Sequence, residues 1–104
     1  MSTFDDRQKA YENKFVHDQE LEFKIRSRAN ILTAKWAADK MHFEGSDIDA
    51  YATELVDYSF SNSGEGAVVE KILSDMRAKG FEIEEQEVKS QYDGYLIESR
   101  ESFK

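Results

Sequence analysis

The sequence predicts an all-α fold: a small four-helix bundle with a long N-terminal helix whose first part projects or is mobile. Three observations predict it. The 104 residues contain no proline and only five glycines, so few positions interrupt a helix. Phe4 to Met41 runs without either residue. As one straight helix that stretch would span on the order of 57 Å at about 1.5 Å per residue, against a radius of gyration near 13 Å for a compact domain of about 100 residues. Finally, apolar residues recur at three- and four-residue spacings in successive segments, the period of helices that bury one face.

The first helix opens at Thr3. Thr3-x-x-Asp6 is a variant of the capping box, and Asp5 and Asp6 suit the positive end of the helix dipole. The pairs Asp5–Lys9, Glu20–Lys24 and Glu22–Arg26 follow at i,i+4 in the favourable order. From Leu21 an apolar stripe runs Leu21, Ile25, Ala29, Leu32, Trp36, spaced as a core-facing helix requires. Trp36, the single tryptophan, reads as core by that spacing. Before Leu21 the apolar positions thin to Phe4, Tyr11, Phe15 and Val16, a narrow stripe with charged flanks. The chain therefore divides into a mobile N-terminal effector helix, residues 1–20, and a helical bundle domain, residues 21–104. The arm buries too little to offset its ordering entropy.

Gly45 is expected to end this helix, and Ser46 with Asp49 to cap the next. Residues 47–60 place Ile48, Tyr51, Ala52, Leu55 and Val56 on one face. The stretch S-F-S-N-S-G-E-G, Ser59 to Gly66, is the one substantial loop. A third helix over 66–79 carries Val68, Val69, Ile72, Leu73 and Met76, and Gly80 sits where a left-handed residue ends a helix. The fourth, about 84–102, carries Val88, Tyr92, Tyr95, Leu96 and Ser99, with Gly94 as a weakening interior glycine.

Charge is uneven. Residues 1–42 hold 8 Lys/Arg and 7 Asp/Glu, net +1, whereas residues 43–104 hold 6 and 15, net −9. An acidic body argues against nucleic acid and anionic lipid as partners. The chain has no cysteine, which excludes disulfides and thiolate chemistry. No apolar run approaches the roughly 20 residues a bilayer demands, so a cytoplasmic protein is expected. His17 and His42 lack the spacing of a zinc site, so no metal is expected. His17, between Phe15-Val16 and Asp18, reads as an exposed helix residue, with a pH-sensitive contact as the sharper alternative. The many carboxylates read as solvated helix faces rather than as an acid–base pair. Gly64-Glu65-Gly66 is a poor phosphate cradle, without the longer glycine pattern or a lysine at the helix start. An enzyme is not expected, and neither is a cofactor.

A narrow aromatic stripe on a charged, capped, proline-free helix is the form of a ligand that lies in a partner's groove. Phe4, Tyr11 and Phe15 would be its anchors, and Arg7 and Asp18 its polar rim.

The pattern F-D-D-R-x-x-A-x-E-x-K-F-x-H-D-x-E-L-x-F-K, followed by R-x-N-x-L-x-x-x-W-A-A, resembles the zeta subunit of the F1Fo ATP synthase of alphaproteobacteria. The likeness is close from Thr3 to Ala38 and looser to Ala78-Lys79-Gly80. It departs from the family's pattern at Gln8, Val16, Ala29, Thr33 and Ala34. The resemblance implies a four-helix protein that inhibits ATP hydrolysis by F1-ATPase through its N-terminal segment. It implies partner-binding residues Phe4, Asp5, Arg7, Tyr11, Glu12, Phe15 and Asp18, and a catalytic interface of the alpha and beta subunits, with gamma in reach. It also implies a cytoplasmic location, peripheral to the inner membrane through the ATP synthase. Two rival readings are a helical domain binding ATP or ADP between its helices, and a helical adaptor for another protein target.

Overall fold

The computed structural model describes residues 3–62 and 66–103, with side chains from Gln19 onward. Four helices follow in order: α1 (Thr3–Lys40), α2 (Ser46–Ser61), α3 (Ala67–Ala78) and α4 (Glu85–Ser102). Ion pairs and ring contacts fix their directions. Phe23 meets Phe60 and Lys35 faces Asp49, so α2 runs antiparallel to α1. Glu22 meets Arg100 and Lys40 faces Glu87, so α4 does too. Lys71 with Glu54, and Tyr51 with Asp75, turn α3 back along α2. α1 packs chiefly on α2 and α4, and α3 closes the bundle between them.

The expected helices are present with ends shifted by a residue or two, except where α1 stops. α1 ends at Lys40 and not at Gly45. His42 takes the left-handed conformation, φ 66°. Its N–H donates to the Asp39 carbonyl at 3.0 Å, and the Phe43 N–H donates to the Ala38 carbonyl at 2.9 Å. Those two bonds are the complete left-handed stop that a glycine usually supplies. Phe43 then packs edge-on against Tyr51, ring centroids 5.7 Å apart, which holds the stop in place without glycine. Gly45 instead starts α2 from φ 57°, ψ −129°, and no side chain caps that helix, so the expected Ser46/Asp49 cap is replaced by a backbone turn. Gly80 behaves as expected: at φ 90° it lets Phe81 N–H reach the Met76 carbonyl at 3.1 Å.

The core is a single cluster. From α2 it takes Tyr51, Ala52 and Leu55; from α3, Val68, Val69, Ile72, Leu73 and Met76; from the α3–α4 connection and α4, Ile83 and Val88. α1 contributes mostly small residues. Ile25, Ala29, Thr33, Ala34, Ala37, Ala38 and Met41 are buried, whereas Leu21, Leu32 and Trp36 of the expected stripe are half-buried. α1 lies between α2 and α4, with alanines and Thr33 along the middle of its packed line and the larger Ile25 and Met41 at either end. The bulky residues flank that line. Trp36 packs against the core from its edge, with the Lys40 ammonium 5.5 Å from its ring centre. Thr33 costs the core little, because its hydroxyl donates to the Ala29 carbonyl at 2.7 Å. Ala29, Thr33 and Ala34, three of the departures from the zeta pattern, all lie on this packed line.

A candidate partner-binding helix

α1 has 38 residues, more than twice the 16 of α2 and the 18 of α4. It outruns both. The long axis of the molecule is 65 Å against 27 and 26 Å across. Among the described side chains of α1, tertiary partners begin at Glu22 and Phe23, and the first fully buried residue is Ile25. Phe4, Asp5, Arg7, Tyr11, Glu12, Phe15 and Asp18 all stand on the helix before that point, and their side chains lie outside the described residues. The helical register still arranges them. At about 100° per residue, positions 4, 11 and 15 fall within about 40° of one another. Positions 7 and 18 fall on one flank of that line and positions 5 and 12 on the other. One continuous helix thus brings the seven positions to one side, as a groove-binding ligand requires.

The root of this arm is pinned by groups that sequence spacing did not pair. Glu22, expected to face Arg26, accepts two bonds from the Arg100 guanidinium at 2.6 and 3.3 Å. The guanidinium beside it holds the Glu22 carboxyl below the usual range, and the carboxylate raises Arg100 in turn. Both groups are solvated, so the pair acts mainly by its two-pronged geometry, which ties α1 to the end of α4. Across α1, Phe23 rests on Phe60 of α2 with ring centroids 6.0 Å apart. The only sequence signal for this contact was that Phe23 falls off the core stripe.

A second concave region lies between α2 and α3. It is an open groove of about 580 Å³ lined by Phe43, Asp47, Tyr51, Glu54, Asp75 and Lys79 among others. Tyr51 donates its phenol to Asp75 Oδ2 at 2.9 Å, and Lys71 Nζ donates to the same oxygen at 2.9 Å while lying 3.4 Å from Glu54. Burial and the neighbouring Asp75 carboxylate push the Tyr51 hydroxyl far above its ordinary range, so it stays protonated. Burial opposes the Lys71 charge, but Asp75 and Glu54 outweigh it and raise its pKa. The lysine is therefore committed to carboxylates, and the groove's lining is net acidic. That field repels phosphate and disfavours the nucleotide-binding reading. Among the described residues no group of three His, Cys, Asp or Glu could hold a metal ion, and no helix is long and apolar enough to cross a membrane.

A family model described as ATPase inhibitor subunit zeta matches residues 1–102, arm and bundle together. The chain belongs to this family. No curated protein matches it. Membership in the ATPase inhibitor subunit zeta family makes an ATPase the partner and inhibition the role, and it agrees with the all-α bundle described above.

Proposed function

We propose that this chain restrains ATP hydrolysis by F1-ATPase by inserting the first half of α1 into a catalytic interface. The bundle is the scaffold and residues 1–20 are the effector. The observation that carries the reading is the length of α1, which outruns the helices it packs on within a chain that matches an ATPase inhibitor family over residues 1–102. Phe4, Tyr11 and Phe15 are the anchors; Asp5, Arg7, Glu12 and Asp18 make the rim contacts. The interface is formed by the alpha and beta subunits, with gamma in reach.

The mechanism needs no chemistry from the inhibitor. A catalytic interface must open and close during each turnover. A rigid helix seated in one of its conformations lowers that state's free energy relative to the others, and the cycle stalls there. Association with the membrane runs through the ATP synthase, because the chain supplies no span of its own among the described residues.

The test is ATP hydrolysis by the cognate F1-ATPase with and without the purified chain. The full chain inhibits; a chain lacking residues 1–18 does not. Phe15→Ala weakens inhibition roughly thirtyfold, the effect of losing an aromatic anchor of about 2 kcal/mol. Equal inhibition by full and truncated chains at the same concentration would falsify the arm as effector.

A further inference from the structure

The described surface leaves Phe23, Phe60, Ile97 and Phe103 exposed. Two of them meet. Phe23 and Phe60 lie with ring centroids 6.0 Å apart and planes tilted by 34°, yet they remain 55% and 64% exposed. Single apolar residues on a surface need no explanation, but two phenyl rings from different helices converging there form a patch. We infer that this patch is a second docking surface for the ATPase subunit that holds the arm, and that the subunit meets it with an apolar pocket that has a basic group at its rim. The inference rests on the arm reading above and adds to it the part of the bundle that the partner touches.

Three observations choose this occupant over others. Among the described residues nothing covers the rings. The connection 63–65 is Ser-Gly-Glu, without an apolar side chain, and Thr3, where α1 begins, stands twenty helical positions, roughly 30 Å, from Phe23. A second copy meets repulsion, because each chain carries net −8 and residues 43–104 carry net −9. Lastly, the patch continues the arm. Position 23 lies eight residues past position 15, about 12 Å along the axis, and about 80–120° around from the three anchor positions, on the flank of positions 5 and 12, so a partner that meets that flank of the arm ends beside these rings. Glu20 and Asp57, each three residues before a ring on the same helix, and Arg26, three residues after Phe23, are exposed at its edge and leave it one net negative charge. That charge calls for a basic group opposite. Two linked contacts on one chain also bind more tightly than either alone, since the second forms within the complex.

The experiment measures binding of the full chain and its variants to the purified cognate ATPase, alongside melting temperature. Phe23→Ser/Phe60→Ser is expected to weaken binding roughly tenfold or more while the melting temperature holds, since both rings are solvated. Should the double variant unfold, Phe60→Lys alone tests the same surface and is expected to weaken binding too. Wild-type affinity in a folded variant overturns the inference. Phe15→Ala separates the two readings. If it weakens binding and the patch variants do not, the patch falls and the arm stands. If the patch variants weaken binding and Phe15→Ala does not, the arm reading falls and takes with it the inference that the patch is a second contact beside the arm. A wild-type chain that does not bind overturns both. A wild-type dimer in sedimentation that Phe23→Ser/Phe60→Ser dissolves assigns the patch to a second copy and overturns the inference.

Discussion

Tyr51 links the two sides of the α2–α3 contact by one hydrogen bond to Asp75. Its pKa and that of Lys71 are both raised in the folded chain. A raised folded pKa contributes stability that is fully present below the unfolded value and lost as pH climbs toward the folded one. For Tyr51 the loss begins near its ordinary value of 10.0, and for Lys71 near 10.5. The melting temperature is therefore expected to fall above about pH 10, and Tyr51→Phe is expected to flatten that decline. At neutral pH the same substitution costs about 1 kcal/mol, the net worth of one hydrogen bond. Denaturant titrations across the alkaline range measure both effects. Ser99 behaves differently. It is fully buried on α4, and its hydroxyl oxygen finds no partner among the described residues. An orphaned buried hydroxyl costs free energy, and alanine is the better helix former. Ser99→Ala is expected to stabilise the chain by about 0.5–1.5 kcal/mol, read as a rise in the urea midpoint.

At the scale of the helices, the glycines divide by backbone conformation rather than by space. An added Cβ meets nothing within 4 Å at either Gly45 or Gly94. Yet Gly45 holds φ 57°, ψ −129° at the entrance to α2, a region that side chains strain to occupy. Gly94 sits inside α4, where glycine only adds disorder to the unfolded chain. Gly45→Ala is expected to destabilise by about 1–3 kcal/mol. Gly94→Ala is expected to stabilise by about 1 kcal/mol. Thermal melts of the two variants move in opposite directions if this account holds. The same contrast explains why the end of α1 was misplaced from sequence. Gly45 looked like the stop because glycine is the usual left-handed residue, but the packing of Phe43 on Tyr51 lets His42 take that conformation three residues earlier.

The whole chain is extended for its size. Its radius of gyration is 17.5 Å, where a compact chain of about 100 residues would have about 13 Å. The described core begins at Ile25, and residues 1–20 are proposed as an arm separate from the fold. A chain lacking residues 1–18 is expected to keep its melting temperature, since it retains every residue of the buried cluster. Its radius of gyration by small-angle scattering is expected to fall toward about 13 Å. A large drop in melting temperature would instead show the arm packed into the bundle.

Sequence alone determined the helix count, the approximate limits of the four helices, the stop at Gly80, and the core faces of α2 and α3. All of these are local: they follow from period, caps and breakers that act within a few residues of each other. The likeness to the zeta family was legible for the same reason, as a pattern of spaced charges and aromatics along one helix. Tertiary structure decided what depends on which helices become neighbours. It chose the alanine line over Leu32 and Trp36 as the centre of α1's buried face, because that line is the one turned toward the neighbouring helices. It gave Glu22 to Arg100, 78 positions along the chain, rather than to Arg26 on its own helix, and it brought Phe23 to Phe60. No spacing rule within one helix reaches across such separations; only the direction in which the helices pack does.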